Sequence, residues 1–212
     1  MLKRFTRSED GATMVEMAIA LTLLLTLTLG FVDFGYAFYQ WNAATKAVQV
    51  GARLASISDP VSTALATAAP SSNPGAPVVA DAYGPFVCKY ASGTGACNND
   101  STKFDVNAFS RIFRGDTAYS ADDTCPALGL NQRPGMCHFF PGLKRNNVVV
   151  TYTATGLGYE TRLDGPVPTI TVSLQNINFQ FFFLGGLLGF SNITMPSMLS
   201  TVTGEDLKST SP

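Results

Sequence analysis

The sequence predicts an α+β protein. A long N-terminal helix, first apolar and then amphipathic, packs on an antiparallel β-sheet head with an irregular, disulfide-bearing insert. Three observations carry this prediction. Met17–Val32 is an apolar run without a charge. Helical spacing of small and apolar residues then continues to Ser56. From Asn147 onward, β-branched and aromatic residues take over in strand-like patterns.

Composition sets the outer bounds. The 212 residues are 46% hydrophobic and 14% charged, well below the usual ~25% charged. That is not the profile of a disordered chain. The net charge is −1, so no basic excess exists to neutralise a phosphate backbone, and nucleic acid is excluded as a partner.

The first element is the apolar run. At ~1.5 Å per residue it is about 24 Å long, short of a ~30 Å hydrocarbon core. Ala12–Val15 before Glu16, and Phe34–Tyr39 after Asp33, extend it past both charges to spanning length. Phe34, Tyr36, Phe38, Tyr39 and Trp41 cluster at the far end, as at a membrane–water interface. Lys3, Arg4 and Arg7 precede the span and favour a cytoplasmic N-terminus, which places the head outside the cytoplasm. An ordinary cleaved signal peptide fits poorly: the apolar stretch is too long and no A-x-A site follows it.

Glu16 stands out, because a carboxylate at the edge of a span is costly unless paired. Alone it reads as an acid favoured by a helix N-terminus. It does not stand alone, however: the string is Glu9-Asp10-Gly11-Ala12-Thr13-Met14-Val15-Glu16, directly before the apolar helix. A short basic leader, a Gly, four residues, a Glu and an apolar helix together resemble the type IV prepilin signature. That resemblance implies a membrane peptidase cutting between Gly11 and Ala12, with Glu16 as the fifth mature residue. The new Ala12 ammonium could then pair with Glu16 of a neighbouring subunit. At ~4 Å and an effective dielectric of ~20 such a pair is worth about 4 kcal/mol before desolvation. Asp33, at the expected outer interface, reads either as an acid snorkelling to water or as a subunit contact.

The helix continues as Gln40–Ser56, with Ala44, Ala47, Val48, Gly51, Leu54 and Ala55 on a small-residue face. Asp59-Pro60 ends it, since a residue before proline avoids helical geometry. Over about residues 8–56 the chain resembles the TadE-like proteins, minor pilins of the Flp (tight adherence) pilus. The resemblance rests on Gly11-Ala-Thr-Met-Val-Glu16-Met-Ala-Ile-Ala-Leu, Phe31-Val-Asp-Phe-Gly35 and Ala47-Val-Gln-Val-Gly51-Ala52-Arg53. The ending Ser200-Thr-Val-Thr-Gly-Glu205-Asp206 adds to it. It implies a pilin-like fold and a structural, non-enzymatic subunit of pilus assembly, supporting adhesion and biofilm formation. The partners implied are the prepilin peptidase, other minor pilins, the major Flp pilin, the inner-membrane assembly platform and the membrane. The location implied is the bacterial inner membrane, then the pilus. Met17 after Glu16, and a large head, favour a minor over a major pilin. The segments expected are 1–11 as cleaved leader, 12–40 as transmembrane and assembly helix, 41–58 as its amphipathic continuation, 59–145 as insert and 146–212 as sheet region.

Within the insert, a short helix is expected over Val61–Ala69, a loop over Pro70–Pro77 and an amphipathic helix over Asp105–Arg114. The rest of 78–145 reads as irregular. Val148–Thr155 reads as a strand. Thr169–Phe183 reads as a longer one with a bulge near Gln175-Asn176, where the apolar parity switches. Ile193–Thr203 reads as a third, after a hairpin-like connection at Gly185–Gly189. The apolar stretch Leu184–Phe190 reads either as a loop tucked onto the sheet or as a contact patch, which makes Leu187, Leu188 and Phe190 candidates for contact with another subunit or the membrane surface.

Cys88, Cys97, Cys125 and Cys137 all lie beyond the span, and an even count in an exported head reads as disulfides. Of three connectivities, the sequential one, Cys88–Cys97 and Cys125–Cys137, is expected. No C-x-x-C exists, so no zinc site is expected. His138 is the single histidine, which leaves no multi-histidine metal centre and argues against a catalytic triad. Neither a phosphate-binding glycine loop nor EF-hand spacing is present. No cofactor is expected. The rival readings are a single-span protein with a ligand- or receptor-binding head and a type II secretion pseudopilin.

Overall fold

A computed structural model describes residues 9–68, 73–117, 119–120, 122–160, 165–183, 185–186 and 193–205. It has the α+β, pilin-like architecture expected: a long N-terminal apolar helix followed by a five-stranded antiparallel sheet, with a pair of disulfides in the head. The chain divides into two compact units, residues 1–39 with 178–193 and residues 40–177 with 194–212.

Helix α1 runs over Glu9–Ser56. Its first part is rich in Ala, Leu and Met, strong helix formers, and no proline interrupts it. At its end Arg53 lies in the last turn, where a cation complements the carbonyl end of the helix dipole. The Glu205 N–H donates to the Ser56 carbonyl, satisfying one of the acceptors that a helix end leaves open.

In the larger unit, Ala44, Ala47, Val48, Gly51, Ala52 and Ala55 of α1 are buried on one face. The small residues are needed there: a Cβ on Gly51 would stand 2.5 Å from Sδ of the fully buried Met136. The sheet has the order β2-β1-β3-β4-β5, with β1 Phe86–Ala91, β2 Thr94–Cys97, β3 Val148–Thr153, β4 Thr169–Leu174 and β5 Met198–Thr203. Val148, Val150 and Tyr152 of β3 face Leu174, Val172 and Ile170 of β4 in register, and all six are buried. This alternation buries one face of both strands.

Helix α2, Val106–Arg114, matches the expected amphipathic helix. The Asp105 carboxylate caps it, accepting from the N–H groups of Asn107 at 2.8 Å and Ala108 at 3.0 Å. Gly115 closes it at φ +72°, a conformation suited to glycine. Phe109, Ile112 and Phe113 are buried, and Phe109 joins Tyr90 and Phe104 in a cluster with ring centroids 4.9–5.5 Å apart.

Three expectations are corrected. The hairpin β1–β2 lies in a region read as irregular. Its turn, Ser92-Gly93, has φ +50° and +83°, the geometry of a tight two-residue hairpin. Strand β4 stops at Leu174 instead of continuing through a bulge. The Asn147 side-chain amide donates to the Gln175 and Asn176 carbonyls and Asn176 turns at φ +55°, and beyond this break the Met195 N–H donates to the Ile177 carbonyl and the Phe179 N–H to the Ile193 carbonyl. The parity switch therefore marks a break in the strand, beyond which pairing resumes. The last strand begins at Met198, not Ile193, because Pro196 can donate no ladder hydrogen bond. The short helix after Pro60 is a 3-10 turn over Thr63–Thr67. Of the expected connection at Gly185–Gly189, residues 187–189 lie outside the described residues.

The fully buried Tyr152 ties the sheet to the segment after α1: the Val61 N–H donates to its hydroxyl at 2.9 Å. Burial also pushes the phenol well above its ordinary pKa, so it stays neutral. Tyr152→Phe should cost about 1–3 kcal/mol by leaving that N–H without an acceptor. Urea unfolding of the full chain in detergent should show a lowered midpoint, whereas Tyr159→Phe, with Tyr159 43% exposed, should not move it.

Candidate functional site

The assembly-signal residues lie on the apolar half of α1. Gly11, Ala12 and Glu16 are all helical and exposed. Glu16 makes no ion pair with another described residue. Its neighbours along the helix, Met14, Val15, Met17 and Ile19, are 55–77% exposed apolar side chains. This is the one helix among the described residues long and apolar enough to cross a membrane. Its most apolar 18-residue window has a mean hydropathy of 2.1 and no buried residue. Such an uncovered surface suggests membrane anchoring.

Of the two readings of Asp33, an acid snorkelling to water or a subunit contact, the first does not hold: the side chain is fully buried. Within the smaller unit its carboxylate accepts the N–H of Phe182 on Oδ1 and of Phe183 on Oδ2, each at 2.9 Å. Hydrogen bonds to a charged group are worth about 1.5–3 kcal/mol each, so the pair offsets much of the cost of burying the charge. The Tyr36 ring lies one turn further on, with its centroid 4.7 Å from that of Phe182. The sequence shows an acid in an apolar stretch, but nothing in it names a partner 149 residues away. The other candidate contact residues, Leu187, Leu188 and Phe190, lie outside the described residues.

In the head, Cys88 is bonded to Cys97 and Cys125 to Cys137. Cys88 and Cys97 are direct cross-strand partners on β1 and β2. Cys125, Cys137 and His138 place their ligand atoms within 4.8 Å of one another. Both sulfurs are taken up in the bridge, where without thiolate charge they are poor metal ligands, so the imidazole is the one strong donor of the three. That imidazole is itself engaged: Nδ1 accepts from the Gly135 N–H at 3.2 Å and Nε2 donates to the Pro126 carbonyl at 2.9 Å. It holds the loop around the second disulfide in place.

Charged side chains in the head serve the same purpose. Arg114, 2% exposed, donates to the Asp122 carboxylate and to Thr124 Oγ1. The two hydrogen bonds from Thr124, with Arg114 nearby, hold the Asp122 carboxyl down at about 2. Arg145 pairs with Asp123 at 3.0 Å and lies over the Tyr90 ring at 4.6 Å. These contacts pin loop to helix and loop to sheet, and none of them pairs a nucleophile with a base.

A pilin-like α+β protein with an exposed apolar N-terminal helix is therefore the class that fold and site define. Residues 11–53 match the family model of the TadE-like proteins. The chain thus carries a TadE-like domain, which supports a TadE-like protein of the Tad/Flp pilus system and involvement in that system. That pilus-associated family is structural rather than enzymatic, and it implies association with pilus assembly machinery in the membrane. Neither the curated proteins nor the solved structures include a match to this chain.

Proposed function

We propose that this protein is a structural minor pilin of a Flp-type pilus and not an enzyme. It is made as an inner-membrane precursor with a cytoplasmic N-terminus and an extracytoplasmic head. A prepilin peptidase cuts it after Gly11. The Ala12 ammonium and Glu16 then provide pairing and register against neighbouring subunits, the other minor pilins and the major pilin. The inner-membrane platform lifts the mature subunit into the pilus, where it supports adhesion and biofilm formation. The observation that carries this reading is Gly11 five residues before Glu16, both on the uncovered apolar start of α1.

The consequence is chemical and can be weighed. The first eleven residues carry a net charge of +1, so the mature chain carries −2. Intact mass of the protein extracted from membranes of its host should correspond to a chain beginning at Ala12. A mass that retains Met1–Gly11 sinks the proposal. Gly11→Val, which puts a β-branched side chain at the cleavage site, should leave the precursor uncut.

A further inference from the structure

The segment hooked onto α1 has an apolar surface of its own. Residues 178–193 share a compact unit with the first part of the helix. Phe182 and Phe183 give their N–H groups to Asp33, yet their side chains stay 60% and 41% exposed. On the adjoining helix surface Phe31, Phe34 and Phe38 are 67–69% exposed. The stretch Gly165–Gly204, which contains this segment, has no charged residue.

We propose that Phe182 and Phe183 form a second membrane contact, an aromatic wedge seated in the headgroup region where α1 leaves the bilayer. This rests on the reading of α1 as a membrane span. Three facts select lipid as the occupant. First, Asp33 stands beside the aromatic cluster of Phe34, Tyr36, Phe38 and Tyr39 at the far end of the span, so its two hydrogen bonds fix the wedge at that end. Second, the Tyr36 ring of the helix lies against the Phe182 ring, which joins the wedge to the aromatic end of the apolar helix. Third, uncharged aromatic side chains beside a span favour the membrane–water interface, where ring and headgroup coexist. Asp33 is the positioning residue of this device. The loop shields its charge from lipid, and the charge holds the loop against the helix.

The test places a photo-crosslinking benzophenone amino acid at Phe182 in the full chain, in vesicles of phosphatidylethanolamine and phosphatidylglycerol. The same probe at Phe34 and at Leu130, which is 97% exposed, supplies the lipid and water references. Phe182 should yield lipid adducts at the level of Phe34, several-fold above Leu130. Asp33→Ala should bring the Phe182 yield down towards that of Leu130 and leave Phe34 unchanged, with Asp33→Asn between the two. Adducts from Phe182 at the Leu130 level, or mainly to a second copy of the chain, overturn the proposal. An unchanged yield in Asp33→Ala overturns the positioning role of Asp33. A Phe34 probe that gives no lipid adduct overturns the membrane span itself, so the two failures are distinguishable.

Discussion

Glu16→Ala should remove the protein from the pilus while leaving it in the membrane with a folded head. The side chain is exposed on an apolar helix and supports nothing in its own head. Its role, on the reading above, is to meet the Ala12 ammonium of a neighbouring subunit. A pair worth about 4 kcal/mol before desolvation bounds the loss of incorporation at about a thousandfold, and at least about tenfold should survive desolvation. Glu16→Gln should fail nearly as badly, because it keeps the shape and loses the charge. The measurement is the ratio of protein in sheared pili to protein in the inner-membrane fraction. An unchanged ratio would leave the helix as a passive anchor and favour a single-span protein with a binding head.

The second large effect concerns the head. Cys88→Ala together with Cys97→Ala should destabilise it by about 3 kcal/mol, the loop entropy released when a closure of 9 residues is opened. For a chain of this size that corresponds to about 6–12 °C in the melting temperature. Both residues are almost fully buried and join the edge strand β2 to β1. Strand β2 has one neighbour in the sheet, so loss of the bridge should free that edge first. Thermal unfolding of the full chain in detergent measures the shift, and a change below about 2 °C would assign the stability of the hairpin to packing alone.

These expectations differ in how much of them could be read before the structure. Helix α1 was legible because its signals are local: a charge-free apolar run, small residues at helical spacing, and a proline that stops the pattern. The same holds for α2, where an Asp at the N-cap precedes Phe109, Ile112 and Phe113 at helical intervals. Strand β3 was legible from its β-branched residues. The hairpin β1–β2 was not. Its turn uses Ser92-Gly93 and its strands carry Lys, Ala and Gly, so neither alternation nor turn chemistry is strong.

What was illegible is what depends on distant residues. The parity switch after Leu174 has two local explanations, a bulge or a break in the strand. Asn147, at the start of the neighbouring strand β3, decides for the break by taking up the Gln175 and Asn176 carbonyls. The fate of Asp33 is the clearest example. A carboxylate in an apolar stretch must find water, a neighbour or hydrogen-bond donors, and sequence leaves all three open. Only the tertiary fold brings Phe182 and Phe183 to it and turns an interfacial acid into the buried clasp of a loop. The amino-acid sequence by itself determined the long helix, its apolar half and the Gly11–Glu16 spacing, because these are patterns within one continuous stretch of chain. The tertiary structure decided the sheet order and the partner of Asp33, because each is a contact between segments whose meeting is set by the packing of the whole.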